Sequence, residues 1–389
     1  MTFKLKVIFP IFNNIYFHCT PVACSQSIST ISIHNKNHSN TSPHLVSLIM
    51  SEKVLLTGIS GYIGLHCAQQ LLQNGYNVVG SVRSRSKEAE VLRSLAKAGV
   101  DTAHLGFVEL DLTKDDGWDQ ALHGCDYLMH TASPFPIANP KHESEVIEPA
   151  VDGTLRALRA AENNGIKRVV LTSSVIAIMG GRKQGTITPA QWTDLQAKNI
   201  STYAKSKTLA EQAAWDFIKD SEADKIPELV SINPGGVFGP AIGDNLSGTS
   251  MSMASQMLQG KMPMVPNAAF PMVDVRDVAK LHVAALKQKN AANQRFIAAD
   301  SEPRSFQEIG AMLNKLGYTG PSTRLAPSLL LKFLSFFDRE AAGMLGFLGM
   351  KVYADNSATK EVFDWEPIPF EQTLQDTATF IEGLITVKK

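Results

Sequence analysis

From residue 53 onward the chain alternates short apolar runs with longer amphipathic ones. Lys53-Val54-Leu55-Leu56-Thr57 is apolar through its centre, as strands buried on both faces of a parallel sheet are. It runs into a glycine-rich turn and then a stretch to about residue 74. There Ile63, Leu65, Ala68, Leu71 and Leu72 recur at helical spacing. Further strands are predicted at 77–82, 106–111, 126–130, 168–172 and 228–233. A long helix is predicted at 143–164, closing at Gly165, and another opens at Tyr203. This alternation over 53–234 predicts a doubly wound α/β domain with right-handed crossovers. Beyond it the pattern loosens. Residues 241–272 are poor in charge and hold six of the 13 methionines, which suit an adaptable pocket or core packing equally. Strand and helix return over 270–279, and a strand at 294–299. From Ser305 the chain reads mainly as helices. Residues 329–350 are apolar but interrupted by Lys332, Asp338, Arg339 and Glu340. They lack the uninterrupted apolar span of about 18 residues that a membrane helix requires, and are expected to lid or line a cleft.

Composition narrows the class. The 389 residues allow a large core and two lobes. Lys plus Arg equals Asp plus Glu at 37 each, so nothing points to nucleic acid or an acidic membrane surface. Cys19, Cys24, Cys67 and Cys125 form no Cys-x-x-Cys pair and no zinc spacing, so neither a disulfide scaffold nor a metal site is expected, and a cytoplasmic setting fits. The first 49 residues contain no Asp, Glu or Arg. Their apolar run is broken by Pro10, Asn13 and Asn14, unlike a clean export signal. They are expected to be a disordered tail or an over-called start, with Met50 the true beginning.

Candidate chemistry begins at Gly58-Ile59-Ser60-Gly61-Tyr62-Ile63-Gly64. Glycines between an apolar strand and a helix let the backbone approach a pyrophosphate at the helix N-terminus. The second strand ends in Arg83-Ser84-Arg85-Ser86-Lys87 with no acid before Glu88. A basic residue there accommodates a ribose 2′-phosphate, so NADP(H) is expected over NAD(H), with Arg83 at the strand end ahead of Lys87. The third strand ends in Asp111-Leu112, where a carboxylate and an amide can meet the adenine edge. Ala132 and Ser133 leave the fourth strand for close approach to a cofactor; His130 before them reads as a packed histidine. Thr172-Ser173-Ser174 ends the fifth strand, on the ligand-binding edge of such sheets. Pro234 and Val237 lie in the loop that would meet a nicotinamide. Tyr203 and Lys207 fall one turn apart on one helix face, with Lys205 nearly opposite. An ammonium beside a phenol favours the phenolate and tunes it for proton transfer.

Together these pieces resemble the extended short-chain dehydrogenase/reductases, over residues 53 to about 385. The carrying elements are Thr57-Gly58-x-x-Gly61-x-x-Gly64, Asp111-Leu112, Thr172-Ser173-Ser174, Tyr203-x-x-x-Lys207 and Asn233-Pro234-Gly235. Val82-Arg83-Ser84, Ala132-Ser133-Pro134-Phe135 and the 203–211 run resemble the dihydroflavonol 4-reductase, cinnamoyl-CoA reductase and aldehyde (methylglyoxal-type) reductase branch. The resemblance implies a Rossmann-type doubly wound parallel sheet with a smaller, mainly helical C-terminal substrate lobe. It implies catalytic Ser174, Tyr203 and Lys207, with Ser173 behind, and an NADP(H) site of Gly58, Gly61, Tyr62, Ile63, Gly64, Arg83, Lys87, Asp111, Leu112, Ala132, Ser133, Tyr203, Lys207, Pro234 and Val237. Two positions depart from the branch. Met179 stands where plant flavonoid reductases hold the flavonoid ring with Asn. Ser201-Thr202-Tyr203-Ala204-Lys205-Ser206-Lys207 stands where cinnamoyl-CoA reductases carry Asn-Trp-Tyr-Cys-Tyr-Gly-Lys.

The expected function is NADPH-dependent reduction of an aldehyde or ketone by a monomer or homodimer without metal, nucleic acid or membrane. The cofactor domain is expected at 50–240 plus 271–300, and the substrate lobe at 241–270 plus 301–389. An NAD-dependent nucleotide-sugar epimerase or dehydratase, and a non-catalytic NADPH-sensing regulator, are the alternatives.

Overall fold

The structure, a computed structural model, describes residues 51–389 except 135–139, 141, 199, 222–225, 245, 247, 335–344 and 388. The described residues all lie in the unit Met50–Lys389. The expectations for residues 1–49, for Phe135 and for residues 335–344 of the proposed lid lie outside them.

Seven parallel strands form the main sheet: β1 (Lys53–Thr57), β2 (Asn77–Val82), β3 (Leu105–Glu109), β4 (Tyr127–His130), β5 (Arg168–Thr172), β7 (Glu228–Pro234) and β10 (Gln294–Ala298). Their spatial order is β10-β7-β5-β4-β1-β2-β3. The order reverses beside β1, between β2 and β4, which is where ligands of such sheets bind. Side-chain alternation explains why these strands are apolar throughout. Val54 and Leu56 enter one core and Leu55 the other; Tyr127 and Met129 oppose Leu128; Val170 opposes Val169 and Leu171. Helices cover both faces, so both sets of side chains are buried. Helices α1 (Tyr62–Gln73), α2 (Glu88–Lys97) and α8 (Val275–Ala285) contribute to the first core. Helices α3 (Trp118–Leu122), α4 (Ser144–Asn163) and α6 (Thr202–Asp220) contribute to the second.

Local signals set the ends of these elements. Ser201 caps α6 by accepting from the Ala204 N–H at 3.2 Å. Asp274 caps α8 by accepting from the Arg276 N–H at 2.8 Å.

A second, five-stranded sheet was not anticipated. It joins β6 (Gln184–Ile187), β8 (Gly236–Phe238), β9 (Ala269–Asp274), β11 (Pro303–Ser305) and β12 (Lys351–Ala354). Only β9 falls where a strand was expected, at the start of 270–279; the other four strands have three or four residues, too short for a two-residue period to stand out, so the chain from Ser305 read mainly as helices. Its helices are α9 (Phe306–Lys315), α10 (Ser328–Leu334), α11 (Ser357–Phe363) and α12 (Phe370–Leu384); a short α5 (Ile176–Met179) and α7 (Thr249–Leu258) precede them. Met251, Met257 and Met272 are buried with Phe238, Phe306 and Phe370 in a third core. The methionines of this stretch therefore serve packing.

Candidate active site

The glycine turn is built by close approach. Gly58 has φ +70°, and a Cβ there would lie 2.9 Å from the Ala132 backbone. A Cβ on Gly64 would lie 2.1 Å from the Gly58 carbonyl oxygen. Only glycine fits either place. The turn is fixed to β4 by Thr57: its Oγ1 accepts from the Ala132 N–H at 3.2 Å and is 2.9 Å from His130 Nδ1, while Thr131 Oγ1 donates to its carbonyl at 2.7 Å. Gly61 precedes α1 and supplies no side-chain cap, and the first turn of α1 holds no acid. The N–H groups of Tyr62, Ile63 and Gly64 thus begin a helix without intrahelical acceptors. The side chains of Tyr62 and Ile63 are used elsewhere. Tyr62 donates its OH to the Gly239 carbonyl at 2.7 Å, and Ile63 packs against the first core.

At the end of β2 the three basic residues separate. Arg85 pairs with Glu88 at 2.9 Å and Lys87 with Glu90 at 2.7 Å. Arg83 is exposed and makes no ion pair within 4 Å among the described residues; its positive charge reaches Asp111. Asp111 accepts from the N–H and Oγ1 of Thr113 at 2.9 and 2.8 Å, and those bonds hold its carboxyl below the usual range. The strand stops at Glu109, so Asp111 and Leu112 stand in the turn after it. The Leu112 carbonyl accepts from Arg156 at 2.8 Å.

The carboxyl end of β5 meets α6. Ser174 is partly exposed, whereas Ser173 is buried. Ser174 hydrogen-bonds the Tyr203 phenol, which lowers its pKa, while burial pushes it up by more. Lys207 is buried. Its Nζ donates to the Thr172 carbonyl at 3.3 Å, and burial lowers it to about 8 although the Glu211 charge opposes that fall. The expectation that Lys207 lowers the Tyr203 pKa is therefore modified: here the lowering contact comes from Ser174. Lys205 points away, as the helix period implies, and pairs with Glu143 at 2.8 Å. A recess beside Lys207 is lined by His130, Ala132, Ser133, Thr172 and Ser173. Burial and the Lys207 charge drive His130 down to about 3, so it is neutral at ordinary pH. Pro234 is buried at the end of β7, and its carbonyl accepts from the Val175 N–H at 2.9 Å. Val237 pairs with Val273 in the second sheet. Met179 is buried beneath α6 in an apolar cluster with Ala204 and Met350.

Residues 54–299 match the model of the NAD dependent epimerase/dehydratase family. The chain belongs to that family. Its curated relatives include the NADPH-dependent methylglyoxal reductase of Saccharomyces cerevisiae, 30% identical over 67% of this chain and 82% of the relative. They also include a cinnamoyl-CoA reductase of Medicago truncatula, 36% identical over 68% and 80%. Among solved structures, yeast methylglyoxal/isovaleraldehyde reductase complexed with NADPH has a TM-score of 0.72 at 25% identity, over 86% of this chain and 100% of that one. Gre2 from Candida albicans in complex with NADPH gives 0.69 at 28% identity, over 86% and 99%. The family thus pairs this Rossmann-type sheet with nicotinamide nucleotides.

Sequence reading missed one part of the site. Glu211, Asn233 and Arg295 form a buried polar cluster directly behind Ser174 and Lys207. The signal was present: Glu211 follows Lys207 by four residues, so an acid shares the buried face of α6.

Proposed function

We propose that the protein is an NADPH-dependent reductase of aldehydes or ketones. One observation carries the reading: Ser174, Tyr203 and Lys207 converge at the carboxyl ends of the strands, beside a glycine turn with no room for a side chain. The residues fit a dinucleotide. Gly58, Gly61 and Gly64 leave the backbone bare, α1 offers N–H groups to the phosphates, and of Arg83, Arg85 and Lys87 it is Arg83 that makes no competing ion pair among the described residues. Ala132, Ser133, Asp111, Leu112, Pro234 and Val237 would border the remainder. When bound, NADPH supplies the hydride that the carbonyl carbon accepts.

The chain's own groups manage the oxygen. Tyr203 gives its proton to the carbonyl oxygen as negative charge develops there. Ser174 donates a hydrogen bond to the same oxygen, strongest in the transition state. Lys207, protonated below about 8, stabilises the tyrosinate left behind and would hold the nicotinamide ribose. The net change is one carbonyl reduced, one NADPH oxidised and one proton taken up. Met179 and the 201–207 run argue for a small or general carbonyl substrate over a flavonoid or a CoA thioester.

In this reading residues 50–240 plus 271–300 hold the cofactor, and 241–270 plus 301–389 shape the substrate side. The free, buried thiols of Cys67 and Cys125 fit a reducing cytoplasm, and no helix among the described residues is long and apolar enough to cross a membrane. The working unit is a monomer or homodimer. Tyr203→Phe tests the reading. It should bind NADPH as the wild type does and lose on the order of 10²–10⁴ in kcat against a small aldehyde panel, the usual worth of a general acid. A variant that still reduces a good aldehyde at the wild-type rate sinks the assignment.

A further inference from the structure

Behind the reactive groups lies a cluster that the reduction does not itself consume. Glu211 is 1% exposed. Its Oε2 accepts from Ser173 Oγ at 2.6 Å, Asn233 Nδ2 at 2.8 Å and Arg295 Nη2 at 3.1 Å. Its Oε1 accepts from Arg295 Nε at 2.8 Å and Trp215 Nε1 at 3.4 Å. Arg295 in turn donates to the Pro189 and Gln191 carbonyls at 2.6 and 2.8 Å, and its guanidinium stacks 3.7 Å from the Trp192 ring centre. Asn233 Nδ2 also donates to the Ser174 carbonyl at 3.2 Å. One carboxylate therefore ties β5, α6, β7 and β10 together within two residues of Ser174 and one helical turn from Lys207.

A buried carboxylate is costly unless both oxygens are well supplied with donors. Here both are. Fold stability alone does not require a charge in this place, since apolar side chains of similar volume serve buried positions as well or better. Its location relative to the reacting groups is what distinguishes it. We propose that Glu211, held by Arg295, is a positioning residue: it fixes the Ser174 backbone against α6 and supplies the counter-charge that keeps the Lys207 ammonium ionised at working pH. The proposal rests on the reductase reading for the use made of Lys207.

The groups facing Lys207 are few. Tyr203 and Glu211 lie on its own helix, the Thr172 carbonyl is on β5, and His130 is on β4. His130 is neutral, and Arg295 acts through Glu211. Burial pulls the Lys207 pKa down and Glu211 is the group that resists. Neutralising Glu211 leaves burial unopposed.

The test uses the full chain labelled with lysine carrying ¹³C at Cε, the Lys207 resonance being assigned by its loss in Lys207→Arg. In Glu211→Gln the Lys207 titration midpoint should fall by on the order of 1 pH unit, the usual effect of an adjacent opposite charge. The alkaline limb of kcat/KM should move with it. Glu211→Asp, which keeps the charge, should return the midpoint toward the wild-type value. If Glu211→Gln does not fold, Glu211→Gln combined with Arg295→Met leaves no buried charge stranded, and the same downward movement is expected. A midpoint unmoved in the neutral variants overturns the proposal, as does a loss of activity that is uniform across pH. Absence of turnover in the wild type, with the midpoint still shifted in the variant, overturns the reductase reading and supports the placement of Glu211.

Discussion

Gly64→Ala puts the cofactor cradle to a direct test. Its added methyl group would start 2.1 Å from the Gly58 carbonyl oxygen, 2.9 Å from the Gly58 carbonyl carbon and 3.0 Å from Ile59 Cα. Close carbon–oxygen contacts settle at about 3.3 Å. The turn and α1 must therefore separate by roughly 1 Å at this point. Overpacking of this kind costs about 1–3 kcal/mol. Alanine returns about 1 kcal/mol of helix propensity over glycine. The net loss is about 0–2 kcal/mol, a fall of a few degrees in Tm for a chain of this size.

Binding should suffer more than stability. A hydrogen bond to a charged group contributes about 1.5–3 kcal/mol, and a shift of roughly 1 Å takes at least one helix N–H out of reach of a phosphate. The NADPH Kd should rise about 10- to 150-fold. Nucleotide fluorescence titration gives the Kd, and thermal unfolding gives the Tm on the same samples. Gly106→Ala is the control: that site on β3 has nothing within 4 Å and no positive φ, so both quantities should stay at wild-type values. Wild-type NADPH affinity in folded Gly64→Ala would refute the cradle. Equal losses in the two variants would show that glycine content, and not this contact, was being measured.

Arg83→Ala should raise the Kd for NADPH about 10-fold or more while leaving NADH binding unchanged, since one charge-assisted contact to the 2′-phosphate is lost; Lys87→Ala, whose ammonium already pairs with Glu90, should do far less. Ser174→Ala should lower kcat by on the order of 10²–10³, the usual cost of one oxyanion donor, and keep NADPH affinity. Acid unfolding should be steep. His130 is held down at about 3 by burial and the Lys207 charge, and His66 and His282 at about 4 by burial. The unfolded chain takes up their three protons near 6.5 and the folded chain does not, so stability falls as pH drops from about 6.5 to 4. The slope contributed approaches about 4 kcal/mol per pH unit. Urea midpoints at pH 7, 6 and 5 measure it, and a flat series would contradict the burial of these rings.

What was legible in the sequence follows from the range of each signal. β2 and β5 were bounded to the residue because each is a run of five or six residues rich in β-branched side chains between turn residues, a purely local pattern. The site edge followed from topology: once β1, β4 and β5 are parallel neighbours, Gly58, Ala132 and Ser174 must share the same end of the sheet. On α6 the helical period alone separated Lys207, which is buried, from Lys205, which pairs with Glu143. Non-local pairings were not accessible in this way. β6 and β12 are only four residues each, yet they pair across 167 positions of chain, Lys351 opposite Gln184. Arg295 reaches Glu211 across 84 residues. Neither partner carries a local mark of the other. Glu211 was nevertheless half readable. An acid at the fourth residue after a buried lysine must either pair with that lysine or find other donors. The fold supplies the other donors chiefly from Ser173 just past β5, Asn233 on β7 and Arg295 on β10, with Trp215 on α6 itself, which leaves the charge of Glu211 to act on Lys207 through space. That division, donors from the sheet and field toward the helix, ties the specificity of the core to the proton chemistry at its edge.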